Sequence, residues 1–239
     1  MAYYEEYIIA GKTVEVTKKH KIKKKKERSK KNCTTSEEQK NVNRNHAIKR
    51  LRLLLNNNFR DGTDFHIVLT YQKELRPKTK DETRNCLENF MRDLRNLYKK
   101  LKKVLKYITV TEYKRVSIHH HIVINDADIR EINKLWKYGK INATPLYTDG
   151  QYGELAEYLI KETDKTFSAP DAIYKKRWNP SKTLKKPIVI KKIIHAKLWR
   201  QEPKPKKGYY IDKASVYNGV NPFTGGYYQF YRMIKLESG

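Results

Sequence analysis

Histidines in one short segment have the spacing to hold a metal ion. The segment RVSIHHHIVIN (115–125) contains three consecutive histidines next to apolar, β-branched residues that are typical of a strand. Side chains alternate between the two faces of a strand, so His119 and His121 share one face and His120 lies on the other. Two imidazoles at positions i and i+2 can chelate one divalent ion, although this pattern alone is weak evidence.

The preceding strand supplies a carboxylate. If residues 105–113 and 117–125 form a hairpin that turns at 114–116, Glu112 lies opposite His119, and Val110 lies opposite His121. A carboxylate beside two imidazoles, without cysteine, suits Mg²⁺ or Mn²⁺. The alternative is a solvent-facing Glu112 that pairs with Lys114, and a register slip of one residue would turn Glu112 away from the histidines.

A tyrosine on a helix is the candidate nucleophile. In ELAEYLIKETDK (154–165), Tyr158 and Lys161 are three residues apart and therefore share a helix face. A tyrosine hydroxyl is a poor nucleophile unless it is assisted, and a lysine one turn away can stabilise the phenolate or a developing phosphate charge. The Tyr-x-x-Lys pattern is common, however. Tyr152 is a competing candidate, but it has Leu155 rather than lysine three residues later.

The elements that must position these residues form a β-α-β-β-α-β-α series. We predict strands at 64–72, 105–113, 117–125 and 141–148, and helices at 81–103, 127–140 and 152–165, with Gly139 ending the second helix in the C′ position. This order is that of an α+β, ferredoxin-like (RRM-like) fold with an antiparallel sheet. It defines a core domain over residues 61–166.

Two flanking segments complete the predicted organisation. Residues 1–60 contain a hairpin that turns near Gly11, a basic arm, and a helix that begins with a capping box at Thr35 and Glu38 and stops at NNNF (56–59). Residues 167–239 form a basic, tyrosine-rich extension with a terminal pair of strands. We expect this extension to pack on the core or to line a substrate groove.

The charge balance predicts a polyanionic partner. The 239-residue chain has 53 Lys and Arg against 26 Asp and Glu, a formal net charge of +27. Nucleic acid is the default partner of such a chain. We expect no membrane segment and no secretory signal, so a cytoplasmic protein, with Cys33 and Cys86 reduced. No G-x-x-x-x-G-K-[ST] phosphate loop is present, so no nucleotide cofactor is expected.

Two basic segments are candidate DNA-binding residues. KKHKIKKKKERSKK (18–31) holds ten Lys or Arg in fourteen residues, among them Lys23, Lys24, Lys25 and Lys26. Such a run binds phosphates without sequence preference. YKKRWNPSK (174–182) adds Lys175, Lys176, Arg177 and Trp178. Trp178 can stack on an unpaired base or, equally, pack as a core residue under a loop.

Three motifs together resemble a known family. VLTYQ (68–72), HHHIVI (119–124) and YLIK (158–161) are similar to the motifs of HUH endonucleases of the rolling-circle replication initiator (Rep) type, found in bacterial plasmids, integrative elements and phages. The resemblance covers about residues 64–166. It implies a metal-dependent enzyme that nicks single-stranded origin DNA, becomes linked to the 5′ phosphate and leaves a 3′ hydroxyl for priming.

The resemblance also assigns roles to residues and implies partners. Glu112, His119 and His121 would bind Mn²⁺ or Mg²⁺, Tyr158 would be the nucleophile, and Lys161 would assist it. The implied partners are single-stranded DNA or an origin hairpin, with a host helicase and polymerase, in a bacterial cytoplasm. Relaxases of the conjugative type bring a third histidine. Only His66 is placed for that, and a structural or DNA-contacting role for it is equally compatible.

Two other functions stay open at this point. A transposase or a mobilisation relaxase would use the same chemistry on different DNA. A non-catalytic nucleic-acid binder on an RRM-like sheet would instead show stacking aromatics on its central strands. The histidine-rich strand 117–125 argues against that binder.

Overall fold

The protein divides into two compact units. We describe it from a computed structural model that covers residues 2–20, 37–114, 117–126, 128–167, 173–174, 176–221 and 225–236. Unit 1 consists of residues 1–43 and 186–239, and unit 2 of residues 44–185. Each unit contains a five-stranded antiparallel sheet. The predicted α+β class is therefore confirmed.

Ten strands, four helices and one 3₁₀ turn are present among the described residues. In order they are β1 (Tyr3–Ala10), β2 (Thr13–His20), α1 (Glu37–Asn58), β3 (Phe65–Thr70), a 3₁₀ turn (Lys73–Leu75), α2 (Lys80–Lys100), β4 (Tyr107–Lys114), β5 (Ser117–Ile124), α3 (Ile129–Asn133), β6 (Ile141–Pro145), α4 (Gly153–Phe167), β7 (Asn179–Pro180), β8 (Ile188–Ile194), β9 (Tyr209–Val220) and β10 (Tyr227–Lys235).

The sheet of unit 2 has the strand order β6-β3-β5-β4-β7. Because β3 and β4 are both antiparallel to β5, they run parallel to each other, and α2 makes the crossover between them. The order β-α-β-β-α-β-α from β3 to α4 is the predicted one. This arrangement makes β5 the central strand, so its side chains meet neighbours from both sides.

Helices pack on both faces of this sheet. Leu51 and Leu55 of α1 and Leu159 of α4 pack on one face in a cluster that includes Val110 and Val123. Side chains of α2 and α3 pack on the other face together with alternate residues of β3 and β5, namely Ile67, Leu69, Ile122 and Ile124. The period of two along β5 therefore separates its residues between two apolar cores.

Local sequence signals account for the long helix α2. A capping box joins the Thr79 and Glu82 side chains to each other's backbone at its start, and Lys99 and Lys100 lie in the last turn, where cations are favourable. Its buried residues recur at helical spacing, namely Thr83, Leu87, Phe90, Met91, Leu94 and Tyr98. The predicted helix at 81–103 is confirmed, although it ends earlier, at Lys100.

The predicted end of α1 within the run NNNF (56–59) is confirmed, since the helix continues through the asparagines and ends at Asn58. Asn58 is buried, where its side-chain amide donates to Lys185 O at 2.8 Å and its carbonyl accepts from Lys185 N at 2.8 Å. Asn56 Oδ1 accepts a hydrogen bond from Tyr152 N at 3.0 Å. These tertiary hydrogen bonds satisfy amides that would otherwise favour a turn.

One predicted helix end was wrong: Gly139 does not cap a helix, because α3 ends at Asn133. A Cβ atom at this position would collide with the Thr70 carbonyl oxygen. Backbone hydrogen bonds hold the two segments together here, from Thr70 N to Lys140 O and from Gln72 N to Tyr138 O, both at 2.9 Å. Glycine is thus needed for a close backbone approach rather than for a helix terminus.

Unit 1 joins the two ends of the chain in one sheet of order β8-β1-β2-β10-β9. The predicted hairpin turns at Gly11, which has a positive φ of 59°, and the predicted terminal strand pair is β9 and β10. An apolar cluster of Tyr7, Val16 and Tyr231 with two neighbours lies on one face. Most of the basic arm (18–31) and the capping residue Thr35 lie outside the described residues.

Candidate active site

The β4–β5 hairpin has the predicted register. Glu112 pairs with His119, and Val110 pairs with His121. Residues that pair across an antiparallel ladder project from the same face, so Glu112, His119 and His121 lie on the face that α1 and α4 cover. The Glu112 side chain is buried, which argues against the solvent-facing alternative.

His121 contacts a third histidine through one ring nitrogen. Its Nδ1 lies 3.3 Å from Nε2 of His66 on β3, and the two rings are stacked with centroids 5.4 Å apart. Burial, and then the neighbouring His66, lowers the pKa of His121 to about 3, while burial lowers the pKa of His66 to about 4. Both rings are therefore neutral at pH 7, and one must donate to the other.

The other nitrogen of His121 tests whether these residues fit a metal ion. His121 Nε2 is buried and has no hydrogen-bond partner among the described residues. We assign the Nδ1 proton to the contact with His66, which leaves a lone pair on Nε2. A neutral imidazole whose second N–H is held in this way is the form that binds divalent metals. The donor atom and its orientation therefore fit a metal ligand.

The ligand set is not drawn together around that atom. Within the described part of the chain, no group of three or more His, Cys, Asp or Glu side chains is arranged to hold a metal ion. The ring centroids of His119 and His121 lie 6.4 Å apart. Glu112 and His119 thus lie on the predicted face, and the ring of His121 stacks with those of His66 and His119.

His120 has a different environment from its neighbours. It is fully buried on the opposite face, where Thr111 Oγ1 lies 2.9 Å from its Nδ1 and Tyr71 Oη 2.7 Å from its Nε2. Its ring also contacts Trp136 edge-on at 6.0 Å. Burial lowers the pKa of His120 to about 3. The middle histidine is a satisfied core residue, which agrees with the prediction that it does not share the face of His119 and His121.

Tyr158 lies beside the histidines on α4. Its ring contacts His121 edge-on with centroids 5.4 Å apart, and it contacts His66 in the same way at 6.1 Å. Tyr158 is 43% exposed, so a molecule in solution can reach its side chain. Lys161 is exposed one turn later on the same helix.

The competing tyrosine has a structural role. Tyr152 is 1% exposed, and its hydroxyl donates to Asp61 Oδ1 at 2.8 Å. Burial and the Asp61 carboxylate raise the pKa of Tyr152 well above its ordinary value. Of the two candidate tyrosines, Tyr152 is therefore buried and bonded to a carboxylate, whereas Tyr158 is exposed.

The predicted DNA-binding residues have mixed placements. Arg177 forms an ion pair with Asp164, which also pairs with Arg44 at 2.6 Å, and Trp178 packs partly buried against the core beneath α1 and α4. This is the core alternative for Trp178. Lys176 is exposed, whereas Lys175 and Lys23–Lys26 lie outside the described residues. A DNA-binding role for these residues stays a prediction.

Three residues of this environment were not assigned from the sequence. The register that pairs Glu112 with His119 also pairs Thr111 with His120, so Thr111 was within reach of the same reasoning. Tyr71 and Asp61 could not be identified from the strand register, because their contacts depend on how β3 and the α1–β3 loop pack. Such contacts carry no local signal.

The central part of the chain can be compared with known protein families. Residues 64–167, from β3 to the end of α4, match one family model. That family is the ORF2 family of replication-associated proteins. The match contains Glu112, the three consecutive histidines, Tyr158 and Lys161. It agrees with the resemblance to replication initiators drawn from the three motifs.

Other comparisons add no further relative. No curated protein and no solved structure matches the chain significantly. Among the described residues, no helix is long and apolar enough to cross a membrane.

Proposed function

We propose that this protein initiates rolling-circle replication by nicking single-stranded origin DNA with Tyr158. The observation that carries the proposal is the contact of an exposed tyrosine with the buried His121 and the partly buried His66, within a segment that matches a replication-associated family. The reaction is a transesterification with a covalent intermediate.

The step exchanges one phosphoester for another. The Tyr158 hydroxyl oxygen attacks the scissile phosphorus, and the bond from phosphorus to the 3′ oxygen breaks. The 5′ phosphate becomes linked to the tyrosine, and the proton lost from the phenol is balanced by one gained by the leaving 3′ oxygen. Because the bond energy is retained in the phosphotyrosine, the reverse step can rejoin strands. The free 3′ hydroxyl serves a polymerase.

A divalent ion, Mn²⁺ or Mg²⁺, belongs to this proposal. Glu112, His119 and His121 are its proposed ligands, and such an ion supplies Lewis-acid polarisation of the scissile phosphate. His121 would use Nε2, since its Nδ1 faces His66. Binding would require the proposed ligands to come closer together than they are in this structure. Lys161 would stabilise negative charge at the phenolate or phosphate from the solvent side of α4.

Basic side chains hold the DNA strand in this proposal. The basic arm with Lys23–Lys26, together with Lys175, Lys176, Arg177 and Trp178, would contact single-stranded DNA or an origin hairpin. Unwinding and synthesis would come from a host helicase and polymerase in the bacterial cytoplasm. The net charge of +27 supports a polyanionic partner.

A passive RRM-like binder is a weaker alternative. That mode of binding needs an open sheet face with stacking aromatics. In unit 2, apolar side chains from α1 and α4 pack on one face of the sheet and side chains from α2 and α3 pack on the other. Because helices cover both faces, neither face is open for base stacking. This favours the nicking reaction at Tyr158 over the passive binder.

Covalent capture tests the proposal directly. The protein would be incubated with Mn²⁺ and single-stranded oligonucleotides that tile the DNA around its gene, labelled at the 3′ end. We expect a denaturation-resistant adduct and a tryptic peptide that carries nucleotide on Tyr158. Tyr158→Phe should abolish the adduct, while Tyr147→Phe, at an exposed tyrosine of the same unit, should retain it. Equal adduct yield from Tyr158→Phe would falsify the assignment.

A further inference from the structure

Aromatic side chains line one face of the unit 1 sheet. Lys19 on β2 pairs with Tyr4 on one side and with Tyr228 on the other. In the adjacent row of the same face, Phe230 pairs with Tyr217. Residues that pair across strands share a face, as do alternate residues along one strand. The four rings (Tyr4, Tyr217, Tyr228 and Phe230) therefore project from one side, which we call the aromatic face.

Two of these rings form a solvent-accessible pair. The centroids of Tyr217 and Tyr228 lie 5.4 Å apart with their planes tilted by 32°. Tyr217 is 53% exposed, and Tyr228 is half-buried. Gly219, which pairs with Tyr228, lies directly under the Tyr217 ring, where a Cβ atom would collide with it. Glycine at 219 thus lets the Tyr217 ring lie flat beside Tyr228.

Packing contacts cover part of the opposite face of this sheet, and the aromatic face is itself buried at its far end, at Glu15 and Ile234. Trp199 packs edge-on against Tyr3 at 5.2 Å, and the Lys206 ammonium lies 3.9 Å from the centre of the Tyr7 ring. The Gln229 side chain donates to Arg200 O at 2.9 Å. The apolar cluster of unit 1 lies on that opposite face. Tyr217 and Tyr228 are not members of that cluster, so the core does not account for them.

Lys19 lies among the rings, and neither of the residues paired with it on the neighbouring strands is acidic. Lys19 is exposed between Tyr4 and Tyr228. Further along the strands on the same face, the Lys191 ammonium lies 3.1 Å from the Glu6 carboxylate, and the Arg232 guanidinium lies 3.4 Å from the Asp212 carboxylate. The two charges of each pair offset each other. The end of the face that carries the rings is therefore its cationic end. Exposed rings beside a cation are the features of sequence-tolerant single-strand binding surfaces.

We propose that the aromatic face binds single-stranded nucleic acid without sequence preference. Bases would stack on Tyr217 and Tyr228, and Lys19 would contact a phosphate. This site goes beyond the nicking reaction because unit 1 contains none of the residues proposed for that chemistry. Binding of a strand here requires neither a metal ion nor an origin sequence.

Fluorescence anisotropy with labelled dT20 in EDTA tests the site on the full chain. The double variant Tyr217→Leu, Tyr228→Leu should bind dT20 at least about ten-fold more weakly. The loss of even one stacked base is expected to lower the affinity by about this factor. The double Phe variant retains both rings and should bind like the wild type. Tyr227→Leu is the matched control, because Tyr227 is exposed on the same strand but projects from the opposite face.

Salt dependence separates stacking from charge. Lys19→Gln should reduce the slope of log K against log salt by about 0.7, the value for one phosphate contact on a single strand. The tyrosine variants should leave the slope unchanged. Duplex DNA should bind less tightly than dT20 because its bases are already stacked, and an rU20 arm tells whether the site accepts RNA as well as DNA.

Photocrosslinking gives a second readout on the wild-type chain. Oligonucleotides that contain 5-iododeoxyuridine should crosslink to the peptides that carry Tyr217 and Tyr228. Unchanged dT20 affinity in the double Leu variant, or crosslinks confined to unit 2, would overturn the proposal. If the double variant instead loses self-association in sedimentation, the face belongs to a second copy of the chain. Failure of the Tyr158 adduct assay would leave these results unaffected.

Discussion

Nδ1 of His121 lies 3.3 Å from Nε2 of His66, across the β3–β5 pair at the centre of the sheet. With the His121 proton assigned to Nδ1, the lone pair of Nε2 points away from His66. In the proposed metal site, His66 would orient His121 rather than contact the substrate.

Removal of His66 should weaken metal binding. His66→Leu should lower the affinity for Mn²⁺ by about 10- to 100-fold, the usual cost of losing a group that orients a metal-binding histidine. Titration calorimetry or Mn²⁺ electron paramagnetic resonance measures this without turnover. His195→Ala, at an exposed histidine of unit 1, is the control and should bind Mn²⁺ normally. Unchanged affinity in His66→Leu would rule out the orienting role.

The buried histidines should make the protein unstable in mild acid. The pKa values of His66, His120 and His121 are lowered to about 4, 3 and 3, whereas an unfolded histidine titrates near ~6.5. The unfolded state therefore binds more protons below pH 6.5. Stability is complete above that pH and decreases as the pH falls toward 4, by about 1.4 kcal/mol per pH unit for each histidine.

Urea unfolding at pH 7.5, 6.0 and 5.0 measures this slope in the absence of metal. The free energy of unfolding should fall steeply between pH 6 and 5. His195→Ala should keep the same slope because this residue is exposed. A free energy that stays constant over this range would show that the three rings are not buried as neutral groups.

Lys161 should affect the chemical step more than DNA binding. Lys161→Ala should slow single-turnover formation of the Tyr158 adduct by about 100-fold, as expected for the loss of one group that stabilises developing charge. Lys161→Arg retains the charge and should recover part of the rate. Lys137→Ala, which removes an exposed lysine outside α4 with no proposed DNA contact, is the matched control. An equal loss in both alanine variants would indicate general electrostatics only.

Gly139 should be intolerant of a side chain. Gly139→Ala places a methyl group against the Thr70 carbonyl oxygen, which also accepts a hydrogen bond from Trp136 Nε1 at 2.8 Å. We expect a loss of about 1–3 kcal/mol in the free energy of unfolding. Gly153→Ala is the control, because its nearest neighbour would be an Arg52 side-chain atom at an ordinary 3.5 Å. Equal stability of the two variants would contradict the close backbone approach.

Much of the site could be predicted from local sequence patterns. The period of two in a strand places His119 and His121 on one face and His120 on the other, and the short connection between β4 and β5 determines the pairing of Glu112 with His119. The spacing of Tyr158 and Lys161 on a helix follows from 3.6 residues per turn. Each of these relations spans few residues, so local geometry is sufficient.

Only the tertiary structure decided relations between distant segments. The sequence does not show that His66 contacts His121, that Tyr152 is occupied by Asp61, or that α1 continues through buried asparagines, because each partner lies more than 50 residues away. The pairing of β10 with β2 likewise depends on the collapse of both chain ends into one sheet. Long-range pairing is selected by burial and hydrogen-bond satisfaction over the whole fold, which no local pattern encodes.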